Sequence, residues 1–181
     1  RAGAKTGRSL SATSARAPDR VKYPEIVVVL AGRARDDGRC VAKSYLVLDI
    51  ETVVDPELPI SEALEAERLP APPHHQIVVI GALLLEADYR VYRLGILGEG
   101  KDEAGILRDF ARFLEKHRPD LVTYNGRGFD LPVIAARCLR HGVPLRHYYR
   151  SRDVRYRFSP EGHLDLMDYV ADFGAAKATR L

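Results

Sequence analysis

Apolar and polar positions follow two periods along this chain, and the periods predict its elements. Tyr45-Leu46-Val47-Leu48-Asp49-Ile50-Glu51-Thr52 is an apolar run with two carboxylates set into its end, and it reads as a buried strand. Ile77–Leu85 is a second strong strand. Asp88-Tyr89 makes a turn, and Val91–Leu97 is a shorter returning strand. From Asp102 the period changes. Ile106, Leu107, Phe110, Phe113 and Leu114 share one helical face, with Pro119 as the stop. Leu121–Tyr124 is the next strand. Leu131, Ile134, Ala135, Cys138 and Leu139 then make a second helical face, closed by Gly142 and Pro144. His163–Leu166 reads as a short strand, and Met167–Phe173 as a helix start. Between the first two strong strands lie five prolines, a long loop with a short helix at Glu62–Arg68. Ile26–Leu30 has strand character that cannot be placed against the rest. The order is that of an α/β sheet, partly parallel, with one antiparallel hairpin.

Composition changes this picture little. The 181 residues suffice for one domain, and 46% hydrophobic with 29% charged residues is ordinary for a soluble protein. No apolar run is long enough to span a membrane. Cys40 and Cys138 have no metal-type spacing, so a reduced, cytoplasmic protein is the expectation. Charge is more informative. Of the net +3, residues 1–20 carry Arg1, Lys5, Arg8, Arg16 and Arg20 against Asp19, which leaves the remainder close to neutral. Residues 1–43 are therefore expected to be a basic, largely disordered extension, and 44–181 the folded domain. A basic, acid-poor start also describes a transit peptide.

The candidate chemistry lies in the carboxylates. Asp49 and Glu51 are two apart on a strand, so they project from the same face. Buried acids on one face repel unless a cation sits between them, and hard oxygen ligands suit a divalent ion. The alternative is a strand that has already emerged into solvent. Asp130 follows a strand end in Asn125-Gly126-Arg127-Gly128-Phe129-Asp130, where it can join an active site or simply cap a helix. His74, His75 and His163 lack zinc-type spacing. Residues 137–158 are rich in Arg with interleaved Tyr and Phe. Arg150, Arg152 and Tyr148 there suit phosphate contact and base stacking, or a solvated loop.

Asp-Ile-Glu-Thr at 49–52, then Leu-Val-Thr-Tyr-Asn-Gly-Arg-Gly-Phe-Asp-Leu-Pro at 121–132, resembles two motifs of the DEDD 3′–5′ exonucleases. The likeness is to the predicted exonucleases related to the proofreading domain of family B DNA polymerases, and it covers about Ser44 to Ala176. It implies a ribonuclease H-like fold, a mixed sheet flanked by helices. It also implies hydrolysis of terminal phosphodiesters with two Mg²⁺ or Mn²⁺ ions roughly 4 Å apart. Asp49, Glu51 and Asp130 would hold the metal, Glu51 would orient the water, and Thr52, Asn125 and Phe129 would face the substrate. The implied partner is nucleic acid, with single-stranded DNA 3′ ends expected. The alternatives are an exoribonuclease and a catalytically inactive binding module of the same fold.

The resemblance also implies a fourth acidic ligand on a later helix, in a Tyr-x-x-x-Asp motif. Asp165, Asp168 and Asp172 are nearby acids, but Tyr169 precedes Asp172 by three residues rather than four. The chain is therefore expected to lack the last helix or helices. It is also expected to expose apolar sheet surface and to be nearly inactive by itself.

Overall fold

The structure, a computed structural model, describes residues 43–58 and 70–177. The expectations for Ile26–Leu30, for Glu62–Arg68 and for the extension up to residue 42 lie outside the described residues.

Strand β1 (Ser44–Val54) is central. It pairs antiparallel with β2 (His75–Glu86), and β2 pairs antiparallel with β3 (Val91–Leu97). On its other side β1 pairs parallel with β4 (Asp120–Thr123), and β4 with β5 (His163–Asp165). The order is β3-β2-β1-β4-β5, with β2 alone running against the rest.

Helix α1 (Glu103–His117) starts where the Asp102 side chain accepts the Gly105 N–H at 2.8 Å. It ends on Arg118 in the left-handed region, so Pro119 follows the stop rather than making it. Gly98, at φ +68°, carries no Cβ because one would strike the Ile106 backbone of this helix. Helix α2 (Asp130–Arg140) buries Leu131, Val133, Ile134 and Cys138. Leu139, expected on that face, is 74% exposed. The buried arc is rotated toward Asp130, Val133 and Arg137, because Arg137 enters it with charged partners. Two short helices, α3 (Arg146–Arg150) and α4 (Arg152–Arg155), and then α5 (Leu166–Val170) complete the chain. The basic stretch is thus ordered in two helical turns, and its first arginine is buried rather than solvated.

Alternation along β1 decides the layers. Leu46, Leu48 and Ile50 point into the core with Ile80, Ala82, Leu107, Phe110 and Ile134. Val47, Asp49 and Glu51 point the other way. In register across the sheet, Leu94, Leu83, Val47, Val122 and Leu164 form one aliphatic row on that second face. Among the described residues it is uncovered: Leu94 and Leu164 are exposed and the three between are half-buried. The two carboxylates of β1 stand on this open face.

A candidate carboxylate site where the central strand outruns its neighbour

The parallel pairing ends with Val47 opposite Val122, and β4 stops one residue later at Thr123. From Asp49 onward β1 runs on without that neighbour. The loop leaving β4 turns back to fill the gap. Asn125 takes φ 62°, and its carbonyl accepts the N–H groups of Gly128 and Phe129, both at 3.0 Å. A Cβ at Gly126 would overlap the Thr123 side chain, so the turn closes only with glycine. This delivers Asp130, the first residue of α2, to the open edge of β1. Its Oδ1 accepts the Ile50 N–H at 3.2 Å, between the two acids of the strand. Asp130 therefore faces β1; it is not the side-chain cap of its helix.

Asp130 is 4% exposed. Burial pushes its carboxyl up to about 6; the negative charges of Asp49 and Asp165 push the same way, while its own N–H and that of Ile50 pull against them. Asp49 and Glu51 are exposed. Three hard oxygen donors under like-charge pressure suit a divalent cation, which would relieve that pressure. The arrangement is open rather than caged. Among the described residues no group of three or more His, Cys, Asp or Glu is arranged to hold a metal ion.

Thr52 meets His75, its Oγ1 3.1 Å from Nδ1, while Nε2 lies 2.9 Å from the Pro70 carbonyl. A carbonyl only accepts, so in the neutral ring Nε2 carries the hydrogen and Thr52 donates its hydroxyl to Nδ1. Phe129 packs edge-on against the same ring, with centroids 5.0 Å apart. His75 thus fixes two of the residues expected to face substrate. Nothing in the sequence points to this role, since His75 stands there only as a histidine without zinc spacing.

Of the other nearby acids, Asp165 and Asp168 are occupied. Asp165 accepts the N–H groups of Asn125 (2.7 Å), Arg127 (2.9 Å) and Met167 (3.1 Å), which makes it the brace of the loop before Asp130. Asp168 takes both Nε (2.9 Å) and Nη2 (2.6 Å) of Arg157. Asp172 is exposed in a 3₁₀ turn. His163 is buried with Nε2 2.8 Å from Thr123 Oγ1, and burial pushes its pKa down to about 4.

Arg127 is a second residue whose part the sequence does not reveal. It donates to the carbonyls of Val154 (3.1 Å), Arg155 (3.2 Å), Tyr156 (3.4 Å) and His163 (2.8 Å). The basic stretch is thereby tied to the loop that carries Asp130. Within that stretch Tyr148 packs half-buried against the core, and its neighbour Tyr149 is the exposed ring. Arg150 and Arg152 are exposed, and Arg152 lies 5.2 Å over the Tyr156 ring.

The sheet order, the single reversed strand and the acids beside the outrunning central strand define an α/β domain of the ribonuclease H-like class. Residues 69–181 match the family described as "Predicted 3'-5' exonuclease related to the exonuclease domain of PolB". The chain belongs to this family. Asp130 and its loop lie inside the matched range, and Asp49 and Glu51 precede it. The chain is also similar to the DNA polymerase epsilon catalytic polypeptide of Schizosaccharomyces pombe, 34% identical over 73 residues, which are 38% of this chain and 3% of that protein. Among solved structures it is similar to the family B DNA polymerase of Pyrobaculum calidifontis, at TM-score 0.46 and 25% identity, covering 72% of this chain and 16% of that one. A product-bound exonuclease I gives TM-score 0.49 and 12% identity, covering 74% of this chain and 32% of that one. The chain thus spans a small part of each of these proteins.

Proposed function

We propose that this chain carries the active site of a divalent-metal-dependent 3′–5′ exonuclease that removes terminal nucleotides from single-stranded DNA. The observation that carries the reading is the placement of Asp130. A buried carboxylate is brought onto the backbone of β1 between Asp49 and Glu51, where burial and like charge both work against it. Such a placement is costly for stability alone, and it makes sense where positive charge is to be bound.

Asp49, Glu51 and Asp130 would hold the cations, which when bound supply an activated water and stabilise the leaving oxygen. Glu51, exposed and one residue beyond the Ile50 N–H, would orient the attacking water. Thr52 and Phe129, steadied by His75, would position the terminal nucleotide. The half-buried Asn125 in the tight turn would border it. Arg150, Arg152 and Tyr148 would contact the strand behind. An exoribonuclease uses the same groups; the substrate's 2′-OH decides between the two.

The test follows release of nucleoside monophosphate from a 3′-labelled oligodeoxynucleotide in Mg²⁺ or Mn²⁺. Metal-dependent release, stopped by chelation and by Asp49→Ala, is expected, with matched ribo-oligonucleotides cut more slowly. No release above the Asp49→Ala background, with binding intact, favours the inactive module.

A further inference from the structure

Around β5 lies a run of exposed rings that have no part in the reading above. Tyr156, Phe158, Phe173 and Tyr169 form a continuous run of rings. Centroids are 5.9 Å apart from Tyr156 to Phe158, 5.2 Å from Phe158 to Phe173 and 6.4 Å from Phe173 to Tyr169. All four are exposed, Phe158 at 57% and Tyr169 at 64%. Aromatic side chains in contact with one another usually form a core; here the cluster faces solvent. Guanidinium groups lie over it, Arg152 over Tyr156 at 5.2 Å and Arg157 over Phe158 at 5.9 Å, with Arg155 over the neighbouring Tyr149 at 6.0 Å. Arg157 is neutralised by Asp168, while Arg152 and Arg155 are exposed. Arg127 ties the carbonyls of residues 154–156 to the loop before Asp130, which joins the segment that bears Tyr156 to the loop that carries the buried acid.

We propose that this face is a stacking track for the unpaired nucleotides upstream of the 3′ terminus. It deepens the exonuclease reading and rests on it for the direction of the strand. Bases stack on Tyr156, Phe158, Phe173 and Tyr169, and phosphates lie on Arg152 and Arg155. Exposed rings offer faces to any base, and duplex DNA hides its bases, so the track takes single strands of either sugar with little sequence preference. A protein partner would suit exposed rings alone; Arg152 and Arg155, which pair with no acid among the described residues, favour a polyanion.

The experiment measures binding of the full 181-residue chain in EDTA, where no cleavage occurs. The probes are a fluorescent thymidine 15-mer, the matching uridine 15-mer and a blunt duplex of the same length. Both single strands should bind, and the duplex at least about tenfold more weakly. The double variant Phe158→Ala, Phe173→Ala should lose about tenfold or more, and Phe158→Tyr should keep its affinity. Arg152→Gln with Arg155→Gln should flatten the salt dependence. Parent-like affinity in the double variant, a loss that Phe158→Tyr shares, or duplex binding equal to single-strand binding would overturn the proposal. So would no binding at all by a parent chain that melts cooperatively. Ring-dependent binding without hydrolysis in Mn²⁺ would leave the track standing and sink the exonuclease reading. Hydrolysis with ring-independent binding would do the reverse.

Discussion

Asp130 is held in tension, and its substitution should separate stability from activity. Asp130→Asn keeps an oxygen for the Ile50 N–H and removes the like charge facing Asp49. The variant should melt no lower than the parent in EDTA, lose nucleotide release, and lose the rise in Tm that Mn²⁺ gives the parent. A Tm rise with Mn²⁺ equal to the parent's would show that Asp130 holds no metal. His163 sets the acid limit. Burial, with the charge of Arg127, holds its pKa down to about 4, while the free ring titrates near 6.5. The unfolded chain therefore gains a proton as pH falls through about 6.5, and the folded chain refuses it until about 4. The contribution is complete above about 6.5, declines below it and is gone below about 4; the gap is worth on the order of 3 kcal/mol. Denaturant melts at pH 7 and pH 5 should show a smaller loss in His163→Gln than in the parent. At this scale the sequence showed the three acids, because strand period and motif both point at them. It could not show the parts of His75 and Arg127, since Thr52 lies 23 residues before His75 and the carbonyls that Arg127 binds lie 27 to 36 residues after it.

Strand and helix periods predicted β1 to β5, α1 and α2 to within a few residues, because each has a face with one environment. They misjudged Leu139 and Arg137. Arg137 is 1% exposed; it pairs with Asp55 at 2.6 Å and Glu103 at 2.5 Å, joining the end of β1 to the start of α1. Burial works against both charges, but the Glu57 N–H and Arg137 hold the Asp55 carboxyl, and Arg137 with the Ile77 N–H holds that of Glu103, below the usual range. In one sequence a buried arginine looks like a surface one, since its partners come from other elements. Arg137→Met should cost about 3–5 kcal/mol by leaving two buried acids short of a cation, read as a shift in urea midpoint. A midpoint like the parent's would mean that Arg140 and His141, which already touch those acids, take over.

For the whole molecule, the open sheet face is the outstanding feature. The row Leu94, Leu83, Val47, Val122 and Leu164 crosses all five strands, exposed at both ends and half-buried between them. Such a patch binds apolar probes and promotes association. The parent should enhance 8-anilinonaphthalene-sulfonate fluorescence and sediment with concentration-dependent mass. Leu94→Lys with Leu164→Lys should reduce both. Unchanged dye binding would place the apolar surface elsewhere. Pairing register made this row, and no single segment of sequence contains it, although the resemblance to a larger domain implied exposed sheet surface.

The central claim is that Asp49, Glu51 and Asp130 work together on a phosphodiester through bound cations. Its most direct test is Mn²⁺-dependent release of nucleoside monophosphate from a 3′-labelled single strand, in the parent and in Asp49→Ala, Glu51→Ala and Asp130→Ala. The account predicts slow, metal-dependent release in the parent, since among the described residues Asp165 and Asp168 are engaged by other partners, and no release above background in each variant. Release within a fewfold of the parent in all three variants, at unchanged metal dependence, would contradict it.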